Sequence, residues 1–323
     1  MFEKGLVVGK FYPPHKGHKY LIDTAVASCD HVTVIVCAKQ SEDISGLLRA
    51  SWLQEIHPNV RVLLMDDNKL ADDDSKGWAA YTKEILGYAP DAVFTSESYG
   101  DPYAEFLSCV HVLVDKDRTT IPISGTMVRG NPQKYAEFLE PVVKAYFARR
   151  VCVLGAESTG TTTLAKALAD HYKTVWVPEY GRFYSEGKRA LGETMPWYTE
   201  EFVTIARAQQ ALENSLAKTS SGLVICDTDA FATSVWHERY MDTQSPLVEA
   251  IAASAKHDLY ILTGDEIPFV QDGTRDGEHI RHGMHQRFTE KLTQTNRPYI
   301  LVTGSHEERL VGAIKAIDSL NTT

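Results

Sequence analysis

The stretch RVCVLGAESTGTTTLAKALADHY, residues 150–172, decides the fold class. A short apolar run leads into the frame G-x-x-x-x-G-x-T, Gly155 to Thr162, and then into an amphipathic segment. Strand, glycine-bounded turn and helix in that order make a phosphate-binding loop, in which backbone N–H groups at a helix N-terminus cradle phosphate oxygens. The expected contacts run through Gly155, Glu157, Ser158, Thr159, Gly160, Thr161, Thr162 and Thr163. Thr162 holds the place of the Mg²⁺-binding hydroxyl. The preceding position, lysine in the usual loop, is Thr161.

Working outward, similar short apolar runs alternate with helix-length segments along the whole chain. They are 5–9, 31–37, 60–65, 91–96 and 111–115, then 150–155, 174–177, 223–227, 258–263 and 298–304. Continuous apolar runs of this kind predict parallel strands buried on both faces. The fold class is therefore α/β, with two doubly wound parallel-sheet domains, 1–148 and 149–323. Residues 132–147, NPQKYAEFLEPVVKAYF without its first residue, read as one helix closing the first domain.

Composition narrows the function classes. The 323 residues carry a net charge of -10 with no long Lys/Arg block, which argues against a nucleic-acid surface. No segment approaches membrane-spanning length, and the N-terminal apolar run is too short for a signal peptide. The five cysteines are scattered without metal-ligand spacing, as in a reducing compartment, so the protein is read as cytoplasmic. The acidic run 66–74 reads as a solvated loop. Association into a homo-oligomer is left open.

Downstream of the phosphate loop, PEYGRFY sets Glu179 and Arg182 after the second strand of its domain, and LVICDTDAF sets Asp227 and Asp229 after the third. Carboxylates there are placed to hold Mg²⁺ or to take the proton of a substrate hydroxyl, with Thr162 and Asp227 as the metal pair. The segment 269–288 is polar and carries Arg275, Arg281 and Arg287. It reads either as an exposed connection or as a lid that brings an arginine over a transferred phosphate.

The first domain has its own site. After the strand 5–9 comes GKFYPPHKGH, residues 9–18, with His15 and His18 at a helix entrance. Two imidazoles at a positive helix end suit a polyphosphate. Farther on, ISGTMVR, residues 123–129, offers Ser124 and Thr126 hydroxyls and the fork of Arg129.

Together, G-x-F-x-P-x-H-x-G-H and I-S-x-T-x-x-R resemble the nucleotidylyltransferase signature, with Gly9, Phe11, His15, His18, Ser124, Thr126 and Arg129 matching. With GAESTGTTTL, PEYGRFY, ICDTDAFAT and QDGTR behind them, the chain resembles the NadR family of bifunctional proteins over nearly its whole length. The resemblance implies a Rossmann-like nucleotidylyltransferase domain followed by a P-loop kinase domain. It implies adenylyl transfer from ATP to nicotinamide mononucleotide, giving NAD and pyrophosphate, with His15, His18 and Arg129 acting on the phosphates. It also implies ATP-dependent phosphorylation of ribosylnicotinamide, with Asp227 or Asp229 as base or riboside ligand and Mg²⁺ as cofactor.

Two features depart from the family pattern. Thr161 replaces the loop lysine, and the first strand begins so near residue 1 that no helix-turn-helix domain, and no role in DNA binding, is expected. Two further readings stay open. The second domain serves as a nucleotide sensor without chemistry, or the first acts on another phosphorylated metabolite.

Overall fold

Each of the ten apolar runs forms a strand, and each strand pairs only with parallel neighbours. The computed structural model describes residues 1–71, 73–192, 195–271 and 277–320. The chain divides into two units, Met1–Phe147 and Ala148–Thr323.

The first unit runs β1 (Phe2–Gly9), α1 (Lys16–Ser28), β2 (Cys29–Ala38), α2 (Gly46–Ile56), β3 (Arg61–Asp66) and α3 (Ser75–Leu86). It continues through β4 (Ala92–Thr95), α4 (Gly100–Leu107), β5 (Val110–Leu113), α5 (Gly125–Gly130) and α6 (Pro141–Phe147). The second unit runs β6 (Arg149–Leu154), α7 (Thr161–His171), β7 (Val175–Val177), α8 (Tyr180–Leu191), α9 (Thr199–Ala217), β8 (Leu223–Asp227) and α10 (Ala230–Met241). After these come α11 (Pro246–Ser254), β9 (Leu259–Thr263), α12 (Glu278–Gln294), β10 (Tyr299–Val302) and α13 (His306–Ser319).

The sheet orders are β3-β2-β1-β4-β5 and β10-β9-β6-β8-β7. In both, the strand order reverses beside the unit's first strand, and a crevice opens at the carboxyl ends where crossovers leave in opposite directions. That puts the residues after Gly9 and after Leu154 at the two crevices.

Alternation along the strands supplies both faces with apolar side chains. Val7, Val34 and Phe94 pack with Leu21, Ile22 and Ala25 of α1 on one face of the first sheet. Leu6, Ile35 and Val93 pack with Ala79, Leu86, Ala104 and Leu107 of α3 and α4 on the other. In the second unit Val151, Val153, Ile225 and Ile261 pack against Leu164 and Leu168 of α7 and Ala313 and Ile317 of α13. Each large side chain buried this way contributes about 1.5–3 kcal/mol.

Residues 132–147 are not one helix. A short 3-10 turn at Ala136–Phe138 is followed by α6, which starts at Pro141. Proline has no N–H to continue an earlier helix and biases Glu140 out of the helical region, yet it fits a helix's first turn. No helix of the described residues is long and apolar enough to cross a membrane.

Candidate active sites

The crevice of the first unit is a cavity of about 720 Å³. β1 delivers Gly9 and Phe11 to it, and His15 then caps α1, its Nδ1 accepting from the His18 N–H at 3.4 Å. The two imidazoles stack with centroids 3.7 Å apart. Because His15 Nδ1 accepts a hydrogen bond, its proton resides on Nε2. Burial pushes His15 down to about 4, helped by the nearby Arg118 charge, and pushes His18 well below its ordinary value, with His15 and Arg118 adding to the effect. Both rings are therefore neutral at pH 7 and act as dipolar hydrogen-bonding groups.

The two motifs meet at the Tyr12 carbonyl. A Cβ on Gly125 would lie 2.4 Å from that oxygen, so only glycine allows the approach. Arg129 Nη1 donates to the same oxygen, Nη2 donates to Thr126 Oγ1 at 3.2 Å, and the guanidinium lies 4.6 Å from the Tyr12 ring centroid. Ser124 caps α5 by accepting from the Met127 N–H. His18, Ser124, Thr126 and Arg129 share the cavity wall, and His15 lies buried behind His18.

Sequence reasoning missed four charged residues of this wall. Lys10 sits 3.1 Å from the buried carboxylate of Asp67, and Arg118 lies 3.3 Å from Glu97. Lys10 directly follows Gly9, a position that strand-end geometry alone could have flagged. Asp67 belongs to the acidic run that reads as a solvated loop, yet it is 6% exposed, with Lys10 and Lys39 at 3.1 and 3.7 Å from its carboxylate.

In the second unit the loop between β6 and α7 turns through left-handed backbone at Ser158 and Gly160. Gly155 admits no side chain, since a Cβ there would lie 2.2 Å from Thr263 Oγ1. Gly155, Glu157, Ser158, Gly160, Thr161, Thr162 and Thr163 line a cavity of about 370 Å³. Thr159 does not. Its hydroxyl is buried, donating to the Ala156 carbonyl at 2.7 Å and accepting from Thr263 at 2.7 Å. Two arginines hold the loop from behind: Arg281 Nη2 donates to the Ser158 carbonyl at 3.2 Å, and Arg309 Nη1 to the Thr159 carbonyl at 2.7 Å.

Glu179 and Arg182, from the start of α8, complete the polar wall of this cavity. Asp227 ends β8 almost wholly buried, and its Oδ1 has no hydrogen-bond partner. Burial pushes Asp227 up to about 6, against the opposing pull of the Thr162 and Thr161 hydroxyls and of Lys166 and Arg182. Glu179 is pushed up to about 8, first by desolvation and then by the Asp227 carboxylate. The far wall is aromatic, with Trp197, Phe202, Trp236 and Tyr240 contributed by α9, α10 and the residues before α9.

Asp229 stands apart from this group. It is fully buried, caps α10 by accepting from the Ala232 N–H at 2.8 Å, and accepts from the Tyr260 hydroxyl at 2.8 Å. His257 lies 3.3 Å from the same carboxylate and 3.4 Å from Glu213. Neither Asp227 nor Asp229 stands in the wall of this cavity; Thr228, between them, does.

The arginine-bearing segment is only partly an exposed connection. Its later half is helical, and Arg281, Met284 and Phe288 form the buried face of α12. Arg281 therefore supports the loop backbone from outside the cavity, and Arg287 is exposed on α12. Arg275 lies outside the described residues.

A family model described as an AAA domain matches residues 150–309. The trifunctional NAD biosynthesis/regulator protein NadR of Salmonella typhimurium is 30% identical, over 92% of this chain and 78% of that protein. The chain belongs to the NadR family. The NadR protein of Escherichia coli matches with the same identity and coverage. Among solved structures, a NadR protein in complex with NR superposes with a TM-score of 0.82 at 22% identity, covering 99% of this chain and 96% of the other. A NadR protein in complex with NAD and AMP-PNP gives 0.80 at 21% identity, covering 100% and 97%. At that identity the NadR structures speak for the fold.

Proposed function

We propose that the chain is a bifunctional enzyme of NAD synthesis, with a nucleotidylyltransferase domain at 1–148 and a P-loop nucleoside-kinase-like domain at 149–323. The reading is supported by one observation: each unit of this NadR-family chain has a cavity lined by its own phosphate motif, and in the second unit Glu157 and Glu179 line it beside the phosphate loop. The NadR structures in complex with NR and with NAD and AMP-PNP support these ligand classes.

In the first domain a phosphate oxygen of nicotinamide mononucleotide attacks the α-phosphorus of ATP. The bond from that phosphorus to the α–β bridging oxygen breaks, and pyrophosphate leaves with the electron pair. The nucleophile is already an anion, so no base is required. Neutral His18, backed by His15, donates to phosphate oxygen, and Arg129, Ser124 and Thr126 hold the departing phosphates by charge-assisted hydrogen bonds. Catalysis is positioning and electrostatics, without a protein nucleophile.

In the second domain the nucleophile is the 5′-hydroxyl of ribosylnicotinamide, which must lose a proton. Glu179, in the cavity wall, takes that proton in its ionised form as the oxygen bonds to the γ-phosphorus; with its carboxyl pushed up to about 8, the ionised fraction, and with it the phosphorylation rate, rises as pH increases toward 8. The bond from that phosphorus to the β–γ bridging oxygen breaks, and ADP leaves. The Thr162 hydroxyl and the orphaned Asp227 oxygen are hard donors that fit Mg²⁺, which when bound neutralises charge between the phosphates. The pyridinium of the riboside is a flat cation, matching the aromatic wall of Trp197, Trp236 and Tyr240.

Incubating the full chain with ATP, Mg²⁺ and ribosylnicotinamide tests both halves, with mononucleotide and NAD resolved by chromatography. NAD formed from the mononucleotide but not from the riboside removes the kinase half; no NAD from either removes the first half. Thr161 in the lysine place favours one competing reading, a second domain that binds nucleotide as a sensor. That reading predicts saturable ATP binding there with no phosphoryl transfer.

A further inference from the structure

A phosphate loop without its lysine leaves the γ-phosphate short of one positive charge. The hydroxyl of Thr161 cannot supply it. Four cations of the described residues stand close to the loop or to Asp227, and their geometry separates them.

Arg309 is 4% exposed and fully committed, with Nη1 on the Thr159 carbonyl, Nη2 on the Gly264 carbonyl and Glu266, and Nε on the Gly304 carbonyl. Arg281 is buried behind the loop on the Ser158 carbonyl and does not reach the cavity wall. Lys166 projects from α7 with its Nζ 4.4 Å from the Trp176 ring centroid, also outside the wall. Arg182 alone among these four lines the same cavity as the loop, facing it from the first turn of α8.

The Arg182 side chain is 43% exposed, and its Nε donates to Glu186 at 3.0 Å in a surface i,i+4 pair. No described residue of α8 is fully buried, so a small shift of this helix sacrifices little packing. The charge already acts on the site, since it lowers both Glu179 and Asp227 against the burial that raises them.

We propose that Arg182 supplies, from the α8 side of the cavity, the positive charge that the phosphate loop lacks at Thr161, by contacting the γ-phosphate oxygens of bound ATP. The contact rests on the kinase reading of the second domain. It makes Arg182 a catalytic residue for phosphoryl transfer, since a guanidinium fork meets two phosphate oxygens at once.

The test uses the full chain with His15→Ala and His18→Ala to weaken nucleotide binding in the first domain. Arg182→Ala, Thr161→Lys and their combination are then compared in this background by calorimetry with Mg²⁺–AMP-PNP and Mg²⁺–ADP. The expected result is that Arg182→Ala weakens AMP-PNP by about tenfold or more while ADP changes less than about twofold, and that Thr161→Lys restores AMP-PNP binding to the Arg182→Ala chain. In the kinase assay the same single variant loses roughly a hundredfold in kcat, the scale of one lost transition-state contact. Equal weakening of both nucleotides, no weakening of either, or failure of the lysine to restore AMP-PNP binding overturns the proposal. A wild-type chain that transfers no phosphoryl group to ribosylnicotinamide would refute the kinase reading, while the nucleotide comparison would still decide whether Arg182 meets the γ-phosphate.

Discussion

The two crevices occupy the same place in two similar sheets yet are charged in opposite ways. In the first, the carboxylates on the wall are neutralised by cations: Asp67 by Lys10 and Lys39, Glu97 by Arg118. The imidazoles there are kept neutral by burial. In the second, burial pushes Glu179 and Asp227 upward, and the Asp227 carboxylate adds to the rise of Glu179. The nucleophiles account for the difference. A phosphate arrives ionised and needs only phosphate-binding groups, whereas an alcohol arrives with a proton that a carboxylate must accept.

Removing the base should give the largest effect. Glu179→Gln is expected to lower kcat for riboside phosphorylation by roughly a hundredfold to ten-thousandfold, leaving adenylylation of the mononucleotide within about twofold. A Gln variant with undiminished phosphorylation would break the comparison. The converse change, His18→Ala, is expected to reduce adenylylation by roughly a hundredfold with riboside phosphorylation unchanged, measured in the same coupled assay.

Asp229→Asn sharpens the division between chemistry and scaffold. Asp229 caps a helix and belongs to a buried charged cluster with His257 and Glu213, so the change should cost about 2–4 kcal/mol in urea unfolding of the second unit. The folded fraction should keep most of its kcat. A stable variant with kcat reduced a thousandfold would return Asp229 to the catalytic set.

A smaller effect concerns pH. His15 in the folded chain sits near 4, below its unfolded value, so the unfolded state binds more protons between those limits. The stability contributed by the neutral ring is complete above about pH 6.5 and is lost as pH falls toward about 4, amounting to roughly 2–3 kcal/mol for the first unit. Urea titrations at pH 7 and pH 5 should show this loss, and His15→Asn should remove part of it.

Much of this was legible in the residues. The strands announced themselves as unbroken apolar runs, because a parallel sheet covered on both faces tolerates no polar alternation. The two phosphate motifs were legible because each is local, spanning a strand end and a helix start. Other features were hidden for identifiable reasons. The buried face of α12 escaped notice because Arg281 and Lys291 occupy helix-spaced core positions and read as polar. Asp67 was hidden among surface acids, and its two lysine partners come from elsewhere in the chain.

The sequence by itself determined the strand pattern, the two loops and the missing lysine, since these depend on neighbours within a few residues. Tertiary structure alone decided which carboxylates stand together. Asp227 and Asp229 are two residues apart and both buried, but with left-handed backbone at Thr228, φ of 63°, one lies beside the Thr161 and Thr162 hydroxyls and the other caps α10. Glu179, far away in the chain, joins Asp227 because β7 pairs directly with β8. Sequence distance sets what a loop can bind, and strand order sets which side chains meet it.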